Sequence, residues 1–237
     1  MKIATLNIRH GGGAKGSDRP DRLAAFLTSS DVDVFVLTEA RRSYGTEVIL
    51  SRLGEAGWSH QVSNHLIPRK NSVALASRLP AEAVDMSMPD DIESRRFVEA
   101  LVGDIRVTGA YFPLKMDKAP YFREAKRLLD RGASEGDAHV LLGDFNTGDD
   151  VDTEGMAFFC GEDFRALSDT GYIDAWRTRH PAGREFSWYS NAGNGFRIDH
   201  AFLSPALSPR LAEAHYDHTP REEHFTDHSM LTVHLRG

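Results

Sequence analysis

The sequence predicts an α/β fold in which two β-sheets pack face to face with helices outside. Short apolar runs rich in β-branched residues recur along all 237 residues, helical stretches are few, and polar residues repeatedly stand where the runs end. The strand candidates are residues 2–8, 32–38, 72–77, 97–102, 105–111, 140–143, 186–189, 198–203 and 230–235. Three helices are expected. Residues 20–27 follow Asp18 and carry Pro20 in the first turn, residues 46–56 open on Thr46 as a cap, and residues 120–131 space their apolar side chains helically. Internal repeats, low-complexity tracts and linkers are missing from the sequence, so residues 1–237 are expected to form one domain.

Composition narrows the class. A chain of this length buries about 70–75% of its unfolded surface, so the core needs no staples. Cys160 is the one cysteine, which excludes an internal disulfide and a thiolate metal site and points to a reducing compartment. Lys2 is followed by too few apolar residues for a secretion leader, and no apolar run approaches the roughly 18 needed to span a bilayer. The expectation is a cytoplasmic monomer that does not engage membranes. A net charge of −7 argues against a wholly basic nucleic-acid surface but allows a local one. Its candidates are Arg41 with Arg42, Arg69 with Lys70, Arg95 with Arg96, and the set Lys115, Lys118, Arg123, Lys126 and Arg127.

The stretch after the first strand, TLNIRHGGGAKGSDRP, admits three readings. Gly11, Gly13 and Gly16 fit a dinucleotide fingerprint, with Glu39 as a candidate ribose acid. That motif needs its helix to start inside the glycine run, which would put Pro20 in a helix interior. Lys15 precedes Gly16 and Ser17, so the order required of a phosphate loop is absent. The third reading, a flexible exit from the strand with Asn7 as the residue that matters, is preferred.

Strand ends carry a stronger pattern. The candidate strands deliver Asn7, Glu39, Tyr111, Asp144 with Asn146, Asp199, and Asp227 with His228 to their boundaries. If these segments converge, Glu39, Asp144, Asp199 and Asp227 share one pocket. Two carboxylates about 4 Å apart repel by roughly 4 kcal/mol at an effective dielectric near 20, so such a group requires a cation or protons. Hard oxygen donors without thiolate suit Mg²⁺ or Mn²⁺ over Zn²⁺. Asn7, Asn146, Tyr111 and His228 would then face charge developing on phosphate oxygens. An Asp beside a His orients the imidazole and raises its pKa.

The motifs TLNIR, LTEAR, GAYFP, LLGDFN, RIDHAFLS and TDHS, in this order, resemble the endonuclease/exonuclease/phosphatase superfamily over nearly the whole chain. Tyr111 in YFP, together with GYIDAWRTRHP and FSWYSNAGNGFRID, is similar to the exonuclease III type of abasic-site DNA endonuclease. The resemblance implies a four-layer α/β/β/α sandwich of two mixed sheets with the site at one rim. It implies Glu39 as main metal ligand, assisted by Asn7 and Asp227. Asp144 orients or deprotonates the attacking water, Asn146 holds that water or the phosphate, and His228, paired with Asp199, binds a phosphate oxygen. Tyr111 touches the scissile phosphate or the leaving group, and the products are a 3′-hydroxyl and a 5′-phosphate. Trp188 and Phe196 match the pocket that accepts a baseless sugar. Arg41 stands near the place of the family's lysine, and Leu114 and Lys115 replace small polar residues that grip DNA.

The function expected is therefore Mg²⁺-dependent hydrolysis of DNA phosphodiesters, of the abasic-site endonuclease or 3′-exonuclease type, in DNA repair. Its alternative within the same fold is a phosphatase or phosphodiesterase acting on a small phosphoester or lipid headgroup. A dinucleotide-binding oxidoreductase would leave Asp144, Asn146, Asp199 and His228 unexplained, and a binding module would make the acids structural.

Overall fold

The computed structural model describes residues 1–13 and 15–237. Among these residues the chain runs β1 (Lys2–Asn7), α1 (Arg19–Ser29), β2 (Val34–Ala40), α2 (Tyr44–Glu55), β3 (His60–Ser63), β4 (Ser72–Ser77) and β5 (Ala81–Ala83). It continues with β6 (Phe97–Val102), β7 (Ile105–Tyr111), α3 (Ala119–Glu135), β8 (His139–Asp144), α4 (Gly161–Arg165), β9 (Ile173–Asp174) and α5 (Ala175–Arg179). The last elements are β10 (Trp188–Tyr189), β11 (Gly195–Phe196), β12 (Asp199–Leu203), β13 (Leu211–Asp217), α6 (Thr219–Glu222) and β14 (Met230–Leu235).

Two six-stranded sheets form, in the orders β13-β14-β1-β2-β4-β3 and β5-β6-β7-β8-β12-β9, with β10 and β11 as a separate ribbon. Both sheets are mixed. Each has one parallel pair joined by a helical crossover, β1 with β2 through α1 and β7 with β8 through α3. Alternation along the strands builds the layers. Ile3, Val34, Val36, Val107, Val140, Leu142, Ala201 and Val233 meet between the sheets. Their sequence neighbours Ala4, Phe35 and Leu37 turn outward onto Leu23, Leu27, Ile49 and Leu53 of α1 and α2. Leu141 and Phe202 turn outward onto Phe122, Ala125 and Leu129 of α3. Strands covered on both faces read as unbroken apolar runs, which explains their legibility. The result is the four-layer sandwich.

Helix starts differ from expectation by a few residues. The cap of α2 is Ser43, whose hydroxyl accepts the Thr46 N–H at 3.4 Å, so Thr46 lies inside the first turn. The preferred reading of the glycine run is corrected too. Gly11 is pressed against α2, and a Cβ on it would lie 2.3 Å from Thr46 N. Gly11 and Gly13 permit close packing at positive φ rather than a flexible exit, while Gly16 has nothing within 4 Å of its Cβ position. Ala14 of that run lies outside the described residues. The dinucleotide reading fails, because α1 begins at Arg19, after the run.

Candidate active site

The inter-sheet alternation continues to one rim and ends there in polar side chains. Ile3 and Thr5 lead to Asn7, Val107 and Gly109 to Tyr111, Val140 and Leu142 to Asp144, and Leu203 and Ala201 back to Asp199. Parallel pairing puts the carboxyl ends of β1 and β2, and of β7 and β8, at equivalent edges. Antiparallel β12 sets Asp199 directly opposite Asp144. Asn7 Nδ2 donates to Asp144 Oδ2 at 2.9 Å, which ties the two sheets together at this edge.

Asp144, Asp199 and His228 are buried, and one ligand atom from each lies within 4.8 Å of the others. His228 Nδ1 donates to Asp199 Oδ2 at 2.8 Å. Burial disfavours the imidazolium, but the Asp199 charge and hydrogen bond, with the charges of Asp144 and Asp227, raise its pKa to about 10. Burial, and then the neighbouring Asp199 carboxylate, raise Asp144 to about 7. Asp144 Oδ1 accepts the Asn146 N–H at 2.9 Å. Asn146 itself adopts φ 50°, a left-handed conformation that asparagine tolerates, and its Nδ2 donates to Phe112 O at 2.8 Å. One of the two N–H donors of its side-chain amide is thereby engaged with the backbone.

Glu39 reaches the rim by a different route. Its position in β2 has the parity of Phe35 and Leu37, which face the helices. The register against β4 shifts between Leu37 and Ala40, and Glu39 takes φ 55°, turning its carboxylate toward the other sheet. There Glu39 Oε1 accepts the Tyr111 hydroxyl at 3.0 Å, and Glu39 Oε2 lies 2.9 Å from His10 Nδ1. Burial alone would raise the Glu39 carboxyl. The hydrogen bond and charge of His10, then the charge of His228 and the Tyr111 hydroxyl, outweigh it and hold the group below the ordinary carboxylate value. Burial, followed by the charges of Glu39 and Asp144, holds the Tyr111 phenol well above its usual range, so it stays protonated. Asn71, on the residue before β4, donates to the Tyr111 hydroxyl at 3.0 Å and accepts Arg41 Nε at 2.5 Å. Arg41 thus bonds to Asn71 through Nε and is not among the residues that line the cleft.

A cleft of about 510 Å³ opens here, lined by Glu39, Tyr111, Asp144, Asn146, Asp227 and His228. Trp188 and Phe196 form its far wall, cross-strand partners in the β10–β11 ribbon with ring centroids 5.6 Å apart. Trp188 Nε1 points to Asp227 Oδ2 at 3.4 Å, and Arg9 Nε stands 3.8 Å from the same oxygen. The strand segment carrying Phe196 and Asp199 is fixed between them by Arg197. This fully buried guanidinium donates to both oxygens of Asp152, at 2.8 and 2.7 Å, and to Asp174 Oδ2 at 2.8 Å. Arg197 therefore explains RID, and Asp174 explains GYID.

The expected metal set is modified by this geometry. Glu39, Asp144 and Asp227 share the cleft, but Asp199 is enclosed behind His228 and does not line it. Asn7 Oδ1 accepts the Arg9 N–H at 2.9 Å, which leaves one lone pair of that oxygen free, and its amide nitrogen donates to Asp144. The donors that remain fit a hard divalent cation. Three carboxylates face one cleft and no thiolate does, which is a hard-oxygen donor set. Glu39 is the cleft carboxylate that could hold it, while Asp144, Asp199 and His228 are the three groups whose ligand atoms lie within 4.8 Å of one another.

The basic patch is not a free stripe. Arg95 and Arg96 pair with Glu93, Arg123 with Asp91, Lys126 with Asp130 and Arg127 with Glu124. Sequence reasoning missed Arg9, His10 and Asn71. The first two follow a strand end by two and three residues, and Asn71 precedes an antiparallel strand, where its position at the same rim depends on pairing.

No curated protein matches the sequence. The model of the Endonuclease/Exonuclease/phosphatase family matches residues 4–228. The fold is similar to the 3′-5′ exonuclease NExo from Neisseria meningitidis, with TM-score 0.84, 25% identity and 100% of each chain covered. It is similar to the 3′ phosphatase NExo from Neisseria bound to a product DNA hairpin, with TM-score 0.83, 25% identity and 100% of each chain covered. It also shares its fold with an AP endonuclease from Archaeoglobus fulgidus, at TM-score 0.81, 22% identity and 99% of each chain covered. Among the described residues, no helix is long and apolar enough to cross a membrane.

Proposed function

Since the chain belongs to the endonuclease/exonuclease/phosphatase family and is a hydrolase of phosphoester bonds, we propose that its substrate is DNA, cut at an abasic site or at a 3′ end. The observation that carries this reading is the placement of the Trp188–Phe196 pair on the wall of the cleft that holds Asp144 and His228. A dry aromatic slot beside a phosphate-directed base suits a sugar turned out of a duplex or a terminal nucleotide. The two Neisseria structures, named for 3′ exonuclease and 3′ phosphatase activity, support the same class.

Asp144 serves as the base. With its pKa near 7 it is matched to taking a proton from water at neutral pH, while its bonds to Asn7 and the Asn146 backbone fix its direction. The water oxygen attacks phosphorus and the P–O3′ bond breaks, leaving a 5′-phosphate and a 3′-hydroxyl. His228, held as a cation by Asp199, binds a non-bridging oxygen as charge builds on it. Tyr111, still protonated, presents a neutral donor toward the phosphate or the leaving oxygen. A bound Mg²⁺ or Mn²⁺ would supply charge neutralisation at the phosphoryl oxygens.

The test is hydrolysis by the pure protein with Mg²⁺ or Mn²⁺ of a duplex with one abasic site, an undamaged duplex with a recessed 3′ end, and soluble inositol phosphates. Cleavage of either DNA, abolished by Glu39→Ala, is expected. Turnover of the small esters alone would move the assignment to the phosphatase reading.

A further inference from the structure

Lys118 stands just before α3, and only 2% of its surface is exposed. Its Nζ has one hydrogen-bond partner, the backbone carbonyl of Asn146, and among the described residues it belongs to no ion pair. An ammonium carries three donors, so two remain unused on a charge that is out of water. Burial of an unpaired charge is unfavourable unless a counter-charge arrives. The side chain lines the active-site cleft together with Asp144 and Asn146, so a counter-charge can reach it from the cleft. Burial lowers its pKa to about 8, with Cys160 and Asp144 opposing, which leaves the cation dominant at neutral pH. The same cleft is lined by Leu114, which is apolar, and by Lys115, which is exposed where Lys118 is buried.

We propose that Lys118 is a substrate-binding residue of this site, its ammonium holding an oxygen of the substrate's phosphate group across from Asp144. This rests on the phosphoester reading of the cleft but not on DNA being the ester. The cation adds most where the phosphate carries two negative charges, so a terminal monoester gains more from it than an internal diester. A purely structural role, holding Asn146 in its left-handed turn, would move stability and kcat together and leave anion affinity alone.

The test compares the full-length protein with Lys118→Met and Lys118→Arg in Mg²⁺ buffer. Calorimetric titration with inorganic phosphate is expected to show at least a tenfold loss of affinity in Lys118→Met and partial retention in Lys118→Arg, with KM raised more than kcat is lowered. Crystals of the unaltered protein soaked in tungstate are expected to show the anion within hydrogen-bond reach of Lys118 Nζ, a readout that survives any folding defect of the variants. Equal phosphate affinity in wild type and Lys118→Met, no phosphate binding by the wild type, or tungstate bound away from Lys118 would each overturn the assignment. If phosphate binding depends on Lys118 but DNA is not cleaved, the substrate reading falls and the role of Lys118 stands.

Discussion

Replacing Asp199 with Asn keeps the shape of the buried site and removes one charge that acts on two groups at once. The His228 imidazole is raised from 6.5 to about 10, with Asp199 its largest favourable cause. At about 1.36 kcal/mol per pH unit, that rise corresponds to on the order of 5 kcal/mol of preference for the cation, shared with Asp144 and Asp227. Without Asp199, burial opposes the cation with much less against it, and His228 should titrate near or below 6.5. The same change relieves Asp144, whose rise to about 7 has the Asp199 charge as its second cause, so its pKa should fall. Both limbs of the pH–rate profile therefore move toward acid. At pH 8 the variant should lose about 10²–10³ in kcat, the size of effect seen when one preorganised donor is removed, and recover part of it near pH 6. The assay is a pH–rate profile on an oligonucleotide ester, with the His228 ring followed by nuclear magnetic resonance. A profile that drops in height without moving, or a His228 that still titrates near 10, would refute the reasoning.

Other outcomes follow from the same geometry. Arg197→Met strands Asp152 and Asp174 without their buried partner and should destabilise the fold by about 3–5 kcal/mol in denaturant unfolding. Gly143→Ala asks for a Cβ 1.9 Å from Ala110 O at φ 152°, beside Asp144, and should cost about 3 kcal/mol or more. Because His228 titrates higher folded than unfolded, its contribution to stability is complete below about pH 6.5 and lost as pH rises through about 10. The melting temperature should fall over that interval, and fall less in Asp199→Asn.

Much of this architecture was legible because both faces of the central strands are covered. Strands β6 and β7 begin and end where their apolar runs do, and the parity that places Val140 and Leu142 between the sheets also places Asp144 at the rim. Edge strand β13 was missed because His215 and Glu213 interrupt its pattern and its register shifts between Leu211 and Glu213. Strands β9, β10 and β11 are two residues long and owe their existence to tertiary pairing. Glu39 stands out in the sequence as a candidate site residue, yet its parity alone points it at the helices. Only the bulge and the positive φ bring it to Tyr111, and no local signal announces a bulge. On sequence grounds Lys118 falls in the candidate basic patch with Lys115, Arg123, Lys126 and Arg127, because a sequence does not show which lysine loses its water.

The central claim is that carboxylates from both sheets meet in one cleft and require a hard divalent ion there. Anomalous diffraction from crystals soaked in Mn²⁺ with a short duplex bearing an abasic site tests it directly. The account predicts a peak bonded to Glu39, with Asp144 and His228 facing the same phosphate and Trp188 and Phe196 against its sugar. A manganese ion seated elsewhere, or DNA bound away from Asp144 with Glu39 empty, would contradict it.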